Sequence, residues 1–469
     1  MSANSALKGR RFAVVAAFLA LAVVGCSLAL TTPTPEPSTS PSSSVETPSG
    51  SPLATNADAP TDSPLDVSTL APAGPTATPL RTLPPTLAGV KTVDMSGSQT
   101  SSSPGAPYSM SVVRGRALLT YDTGRAKGSI QIPTTRAELT YFAQRPNQPS
   151  PVWDASYVAI VLVTQQRYDG PLGTGGGQDQ WYLPMSWRIL VAPLDANGKP
   201  SALSVFATGR STLDVGTPNF ECGECSGGVD DWPPNVALSG GLIAYNVEQP
   251  TKDHPFGSEI LLRSLTDGST VRDLATPEYV YSLELSGTNL VWIEYPGITT
   301  YTLPLRISTA THPQAQDLLV YQTPGDSGDV EWNVPPYFLE GTLLTWQAST
   351  AGKIWQRDLG TSKLRQISPD GLVCQLDAFD GSNIVMGCAS PEAQPGDPPV
   401  TAWDSGFLPD WFVFWSPVAG YRVLTGTPDS SGSWSAAFAN GSLWLYFTPD
   451  QNPYETDVWT APLGTLAGN

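Results

Sequence analysis

From about residue 108 onward, short apolar runs alternate with clusters of Gly, Asp, Asn and Ser. One unit recurs: an apolar strand, a tight turn on Gly or a small polar residue, then a second strand rich in aromatic and β-branched residues. It spans Val236–Tyr245 around Gly240, Leu283–Trp292 around Gly287, and Phe338–Trp346 around Gly341. Two more copies are Ala378–Met386 around Gly381 and Ala437–Leu445 around Asn440. Weaker copies turn at Asp154 and Gly115. Asp231-Trp232-Pro233-Pro234 precedes one copy and Trp332-Asn333-Val334-Pro335-Pro336 another. Several units continue into two further strand-like runs, such as Glu259–Leu265 then Thr270–Leu274, or Lys353–Asp358 then Lys363–Ile367. No long stretch outside the N-terminal segment carries the 3.6-residue period of a helix.

Four short strands per repeat, at intervals of about 40 to 50 residues when uninterrupted, are the signature of a β-propeller blade. The expectation is an all-β β-propeller over residues 89–469, with seven blades from seven turns and six as the alternative. The last blade has strands near Ser435–Ala439, Ser442–Thr448 and Asp457–Pro462, one short of four. An open ring leaves unpaired strand edges, and Gly89–Met95 is the first run able to supply the missing strand. This rhythm and its small-residue turns resemble the TolB-like and WD-repeat-like propellers of bacterial envelope proteins, without the dipeptides diagnostic of those families. The resemblance covers about residues 108–469, and the commonly six-bladed TolB-like family is what keeps six in play.

The N-terminus has a different pattern. Lys8, Arg10 and Arg11 lead into an apolar run from Phe12 to Val24. That run is shorter than the roughly 20 residues a membrane-spanning helix requires, but suits a signal-peptide core. Val23-Val24-Gly25-Cys26 resembles the lipobox of bacterial lipoproteins. The resemblance implies that residues 1–25 are removed, that Cys26 carries lipid, and that the protein works outside the cytoplasm. It would be lipid-anchored at the cell surface or on the periplasmic side of the cell membrane. Residues 26–88 are rich in Thr, Pro and Ser and nearly free of aromatics. They cannot bury enough apolar surface to offset ordering entropy, so a disordered tether is expected there. As a flexible coil it would span about 45 Å.

The net charge is −18, and nearly all of it falls on the globular part. A body this acidic repels nucleic acid and anionic headgroups, leaving cationic or neutral partners. Of five cysteines, Cys26 is assigned to lipid, leaving four for an oxidising compartment. Cys374 and Cys388 flank a hairpin turning at Asp380–Asn383, and a register shift or bulge would let their sulfurs meet. Cys222 and Cys225 form the second candidate pair, as a local bridge. Their glycine-rich acidic loop lacks the helix N-terminus that lowers a redox thiol's pKa, and no adjacent His supports zinc.

Catalytic patterns fare less well. Gly325-Asp326-Ser327-Gly328-Asp329 is similar to the nucleophile region of trypsin-like proteases, but His254 and His312, the only histidines, both precede Pro in loop-like contexts. A turn between blades is the simpler reading. Thr427–Trp434 is similar to the Asp-box turn of sialidase-type propellers, with its glycine one position late. Asp195-Ala196-Asn197-Gly198 and the acidic loop ending at Asp230-Asp231 lack the full spacing of a calcium loop and read as turns. No cofactor or metal is expected. Trp292, Trp346, Trp444 and Trp459 occupy repeat positions and are expected in the core. Two insertions break the rhythm: Gln165–Pro184, with three consecutive glycines, and Pro391–Asp410, placed between the second and third strands of its blade. They carry the expected ligand contacts Tyr168, Trp181, Tyr182, Trp403 and Asp404. The ligand class is an envelope protein or a glycan, bound without catalysis. The alternatives are a propeller enzyme acting on sugars or lactones and a structural component of an envelope complex.

Overall fold

The computed structural model describes residues 91–94, 106–144, 150–164, 185–210, 233–249, 251, 254, 257–295, 302–322, 336–347, 352–391, 409–426, 432–449 and 455–467. These residues form seven antiparallel sheets, the blades of a β-propeller. After β1 (Lys91–Asp94), the first blade holds β2 (Tyr108–Val113), β3 (Arg116–Asp122) and β4 (Lys127–Gln131), followed by helix α1 (Arg136–Gln144). The second holds β5 (Val152–Trp153), β6 (Tyr157–Thr164), β7 (Ser186–Pro193) and β8 (Ser204–Arg210). The third holds β9 (Val236–Ser239), β10 (Leu242–Glu248), β11 (Ser258–Ser264) and β12 (Thr270–Thr276). The fourth holds β13 (Tyr279–Ser286), β14 (Asn289–Tyr295), β15 (Thr302–Ser308) and β16 (Gln316–Gln322). The fifth holds β17 (Tyr337–Glu340), β18 (Leu343–Gln347), β19 (Ile354–Asp358) and β20 (Leu364–Gln366). The sixth holds β21 (Val373–Phe379), β22 (Ile384–Ala389), β23 (Trp411–Ser416) and β24 (Gly420–Gly426). The seventh holds β25 (Gly432–Ala439), β26 (Ser442–Pro449) and β27 (Glu455–Pro462), and helix α2 (Leu463–Ala467) follows.

Ring closure follows the sequence expectation. β1 pairs antiparallel with β27, from Lys91 opposite Val458 to Asp94 opposite Glu455, and so completes the seventh blade from the other end of the chain. The blade number is seven. First strands of successive blades lie side by side from β5 through β9, β13, β17 and β21 to β25, and therefore surround the axis. Because strands alternate in direction, first-to-second and third-to-fourth turns share one face, here the turn face. Second-to-third and fourth-to-first connections share the other, here the loop face.

Turns hold neighbouring blades in phase. Asp154 Oδ2 accepts a hydrogen bond from Gly240 N at 2.8 Å, and Ser239 Oγ accepts one from Gly287 N at 2.8 Å. Gly240 and Gly287 both have φ of +57°, a left-handed conformation that glycine adopts without a Cβ clash. The first blade departs from the repeat reading by one strand. Its β3–β4 turn packs on the β7–β8 turn of the second blade: Thr123 Oγ1 donates to Asn197 O at 2.6 Å and Tyr108 OH to Gly198 O at 2.7 Å. That contact lies on the turn face, so β3 and β4 are third and fourth strands. Gly115 therefore turns between second and third strands on the loop face, and it is not the first-to-second turn its sequence context suggested.

Sheets bury both sides. Val291, Ile293 and Leu305 of the fourth blade pack against Tyr337, Leu344 and Trp346 of the fifth. Trp292 and Trp346 are fully enclosed. Trp459 joins the sixth–seventh blade seam while half-buried, and Trp444 is half-buried, with Nε1 donating to Ala439 O at 3.4 Å, so its core assignment holds only in part. Helix α1 is short, and its start is a capping box. Glu138 N is bonded to Thr135 Oγ1 at 3.2 Å, and Thr135 N to Glu138 Oε2 at 2.7 Å. Glu138 also takes Arg188 Nε at 2.6 Å, which ties the helix to β7.

Candidate functional site

The candidate contacts Tyr168, Trp181, Tyr182, Trp403 and Asp404 lie outside the described residues, as do Cys26, Cys222 and Cys225. So does the Gly325–Asp329 string. The strands that bracket the two insertions are described. β6 ends and β7 begins on the loop face, where Thr164 Oγ1 donates to Ser186 O at 3.4 Å. β22 ends and β23 begins on the same face, and Ser390 N donates to Asp410 Oδ2 at 3.0 Å. The strand ends that bracket the two insertions thus lie at one end of the ring, and in chain order Pro391–Asp410 falls between second and third strands.

The Cys374–Cys388 expectation is met at atomic level. The two residues are direct cross-strand partners, with sulfurs 2.09 Å apart and Cα atoms 4.1 Å apart. The required register shift occurs between Leu376 and Ala378, leaving Asp377 as the extra residue of a bulge. Cys374 N donates to Gly352 O at 3.1 Å, so this is a non-hydrogen-bonded pair, the closer kind.

Asp195 settles its own segment as a turn. Its Oδ1 accepts from Asn197 N at 2.8 Å and Lys199 N at 2.9 Å, and those backbone bonds hold its carboxyl below the usual range. Among the described residues, no three His, Cys, Asp or Glu side chains are grouped to hold a metal ion. The two histidines sit on opposite faces: His254 in the β10–β11 connection and His312 in the β15–β16 turn.

Two acidic groupings emerge that the sequence reading did not find. On the turn face, Glu284 of β13, Glu340 of β17 and Asp380 after β21 come from three successive blades. Glu284 is half-buried and its pKa is pushed up to about 7, first by burial and then by the Glu340 charge. Glu340 is raised by burial and then by Asp380. A methyl group on Gly381 would sit 2.6 Å from Glu340 Cγ, so glycine is required there both by this contact and by its φ of +89°. Asp377, at the bulge, is also pushed up to about 7 by burial, against a bond from Gly387 N.

The second grouping lies between the third and fourth blades toward the loop face. Glu294 is 0% exposed and its Oε1 accepts from Trp292 Nε1 at 2.9 Å and Arg306 Nη1 at 2.8 Å. Arg306 Nε donates to Asp317 Oδ1 at 2.8 Å. Burial still raises the Glu294 pKa against these bonds. Glu278, in the β12–β13 connection, is half-buried and raised by burial, with His254 and Arg306 acting the other way. An acid inside an otherwise apolar strand was the available signal: Glu294 in Leu290–Tyr295, Glu284 in Leu283–Leu285, Asp377 in Leu376–Phe379.

No protein-family model matches the chain, and no curated protein matches it. Solved structures similar to it include the β-propeller domain of the trilobed protease from Pyrococcus furiosus, at 12% identity over 66% of this chain and 83% of that one, with a TM-score of 0.35. The Pan2 WD40 domain of Neurospora crassa is 9% identical, covering 76% of this chain and 86% of that one, with a TM-score of 0.34. The acylaminoacyl peptidase of Pyrococcus horikoshii is 10% identical over 75% of this chain and 50% of that one, with a TM-score of 0.37. The propeller assignment rests on the sheet order and register of the chain itself.

Proposed function

We propose that this protein is a membrane-anchored, extracytoplasmic lipoprotein whose β-propeller binds a protein or carbohydrate ligand without catalysis. The observation that supports the binding reading is that the strand ends bracketing both long insertions lie on the loop face. The insertions' aromatic residues Trp181, Tyr182 and Trp403 can stack on sugar rings or anchor a protein partner. The bonded pair Cys374–Cys388 supports an oxidising compartment. Cys26 is the proposed site of lipidation, and the envelope is the proposed location.

Replacing Cys26 by Ser is expected to abolish incorporation of a fatty-acid analogue, and persistent labelling of that variant would overturn the anchoring reading. For the ligand face, a pull-down and a glycan array with the intact protein identify the partner. Deleting Leu172–Gln178 together with Trp181→Ala should then weaken that binding while leaving the urea unfolding midpoint nearly unchanged. Intact binding with collapsed stability would make the insertion architectural.

A second reading, an enzyme acting on sugars or lactones, is favoured by Glu284, Glu340 and Asp380. These carboxylates come from adjacent blades, and among the described residues no cation acts on Glu284 or Glu340. Two carboxyl groups of differing pKa are what acid–base hydrolysis of a glycosidic bond uses. Glu284→Gln abolishing turnover of a glycoside from an array hit would establish it.

A further inference from the structure

Toward the loop face, the seam between the third and fourth blades holds two buried side-chain oxygens without a partner among the described residues. Ser258 lies on the side of β11 that carries Ile260 and Leu262, and these pack against Trp292 of β14. Glu294, two residues beyond Trp292, faces back into the same seam. Ser258 is 1% exposed and Glu294 0%, yet Ser258 Oγ and Glu294 Oε2 have no hydrogen-bond partner among the described residues. A buried polar atom left unpaired costs about 1–3 kcal/mol. Two such atoms on facing blades point to a missing partner.

The charge count points the same way. Arg306 bonds Glu294 and Asp317 and also acts on Glu278, so one guanidinium serves three carboxylates. His254 is the other group acting to favour the Glu278 charge. Glu278 is held in place through its backbone: Thr276 Oγ1 lies 2.9 Å from Glu278 O and 3.0 Å from Ser258 O, donating to one at a time. Glu278 is the accessible member and stands toward the loop face, with the two unpaired oxygens deeper in the same seam.

We propose that this seam mouth binds a primary ammonium group, carried by a lysine side chain or by an amino sugar. An ammonium is a compact charge with three donors, and Glu278, Glu294 Oε2 and Ser258 Oγ offer three acceptors. A guanidinium fits less well, because its planar fork prefers both oxygens of a carboxylate and Glu294 Oε1 is already taken. A divalent metal favours several carboxylate ligands, and among the described residues no three His, Cys, Asp or Glu side chains are grouped to hold one. The site shares the loop face with the ligand reading above but uses none of its aromatic contacts, so either can fail without the other.

Trp292 supplies the reporter, because its Nε1 bonds Glu294 directly. The full chain, labelled with 15N and held in detergent micelles, is titrated separately with lysine amide and with glucosamine. Trp292→Phe assigns the indole resonance. Saturable movement of that resonance by either amine is expected, and the responding arm identifies the carrier. Nε-acetyl-lysine amide and N-acetylglucosamine, which lack the charge, should leave it still. Glu278→Gln should raise Kd at least about tenfold, whereas Asp267→Asn, which removes one charge on the turn face, should not. No saturable movement by either amine, an equal response to the acetylated probes, or an unchanged Kd in Glu278→Gln would each overturn the proposal. Loss of Trp181 tests the aromatic reading alone and should not move this Kd.

Discussion

Glu284→Gln and Asp377→Asn should each make the protein more stable at pH 8, and by little or nothing at pH 4. Both carboxyls are pushed up to about 7 in the folded protein, from ordinary values near 4, with burial as the first cause. The folded state therefore holds its protons more tightly than the unfolded chain does. Below the unfolded pKa both states are protonated and no penalty exists. As pH rises past 4 the unfolded chain ionises first, and the penalty on folding grows until the folded groups ionise near 7. Above that it is constant. Each pH unit of difference is about 1.4 kcal/mol, which sets a ceiling of about 3–4 kcal/mol per group. Both residues are half-buried, so solvent screening brings the expected gain to about 2 kcal/mol each. Urea unfolding midpoints of wild type and variants, taken from pH 4 to pH 8, should diverge as pH rises. A gap independent of pH, or a variant less stable at pH 8, would show that these carboxylates are not held near neutral.

Loss of the Cys374–Cys388 bond should act in the other direction and at every pH. Two cysteines 14 residues apart close a short loop, and chain entropy alone assigns such a bridge about 3 kcal/mol. Both residues are 0% exposed, enclosed with Leu376, Met386, Trp411 and Trp415 in the seam facing the fifth blade. Replacing both with Ala also leaves a void there, so a total of about 3–5 kcal/mol is expected. The double variant should unfold at lower urea, and peptide mapping of the non-reduced wild type should recover the 374–388 linkage. Mapped linkage of either cysteine to Cys222 or Cys225 would overturn the pairing. So would an unchanged midpoint after both are replaced.

Much of the ring was legible because each blade repeats one steric demand. Gly240, Gly287 and Gly341 take left-handed φ values of +57°, +57° and +60° at equivalent turns, and Asn440 does so at +52°. A residue tolerated there punctuates the sequence at regular intervals. The hairpin of Cys374 was legible for a related reason, since a two-residue side-chain period forces a bulge wherever facing residues are one step out of line. The first blade misled because Gly115 supplies the same left-handed turn, at +72°, in a different place in the strand order. Turn chemistry reports that the chain reverses, and not which pair of strands it joins. The Glu278, Glu294 and Arg306 grouping was out of reach, since stacking one blade on the next brings these residues together and no spacing along the chain encodes it. Helix α1 was missed although Thr135-Arg136-Ala137-Glu138 spells its capping box.

The strand that closes the ring is also the one through which the N-terminal chain enters it. β1 runs from the turn face toward the loop face, so Lys91 stands at its turn-face end. A pull from that side acts along the axis of β1. It loads the four register pairs with β27 together, in shear, and does not peel them apart singly. If Cys26 is held in a membrane, drag on the propeller passes through these pairs before it reaches any other blade. The rate at which they yield, more than the equilibrium stability of the ring, then governs how much force the molecule withstands. Once β1 slips, β27 becomes an open edge and the circle is broken at its seventh blade. With Cys26 so held, mooring and clasp would be the same four residues.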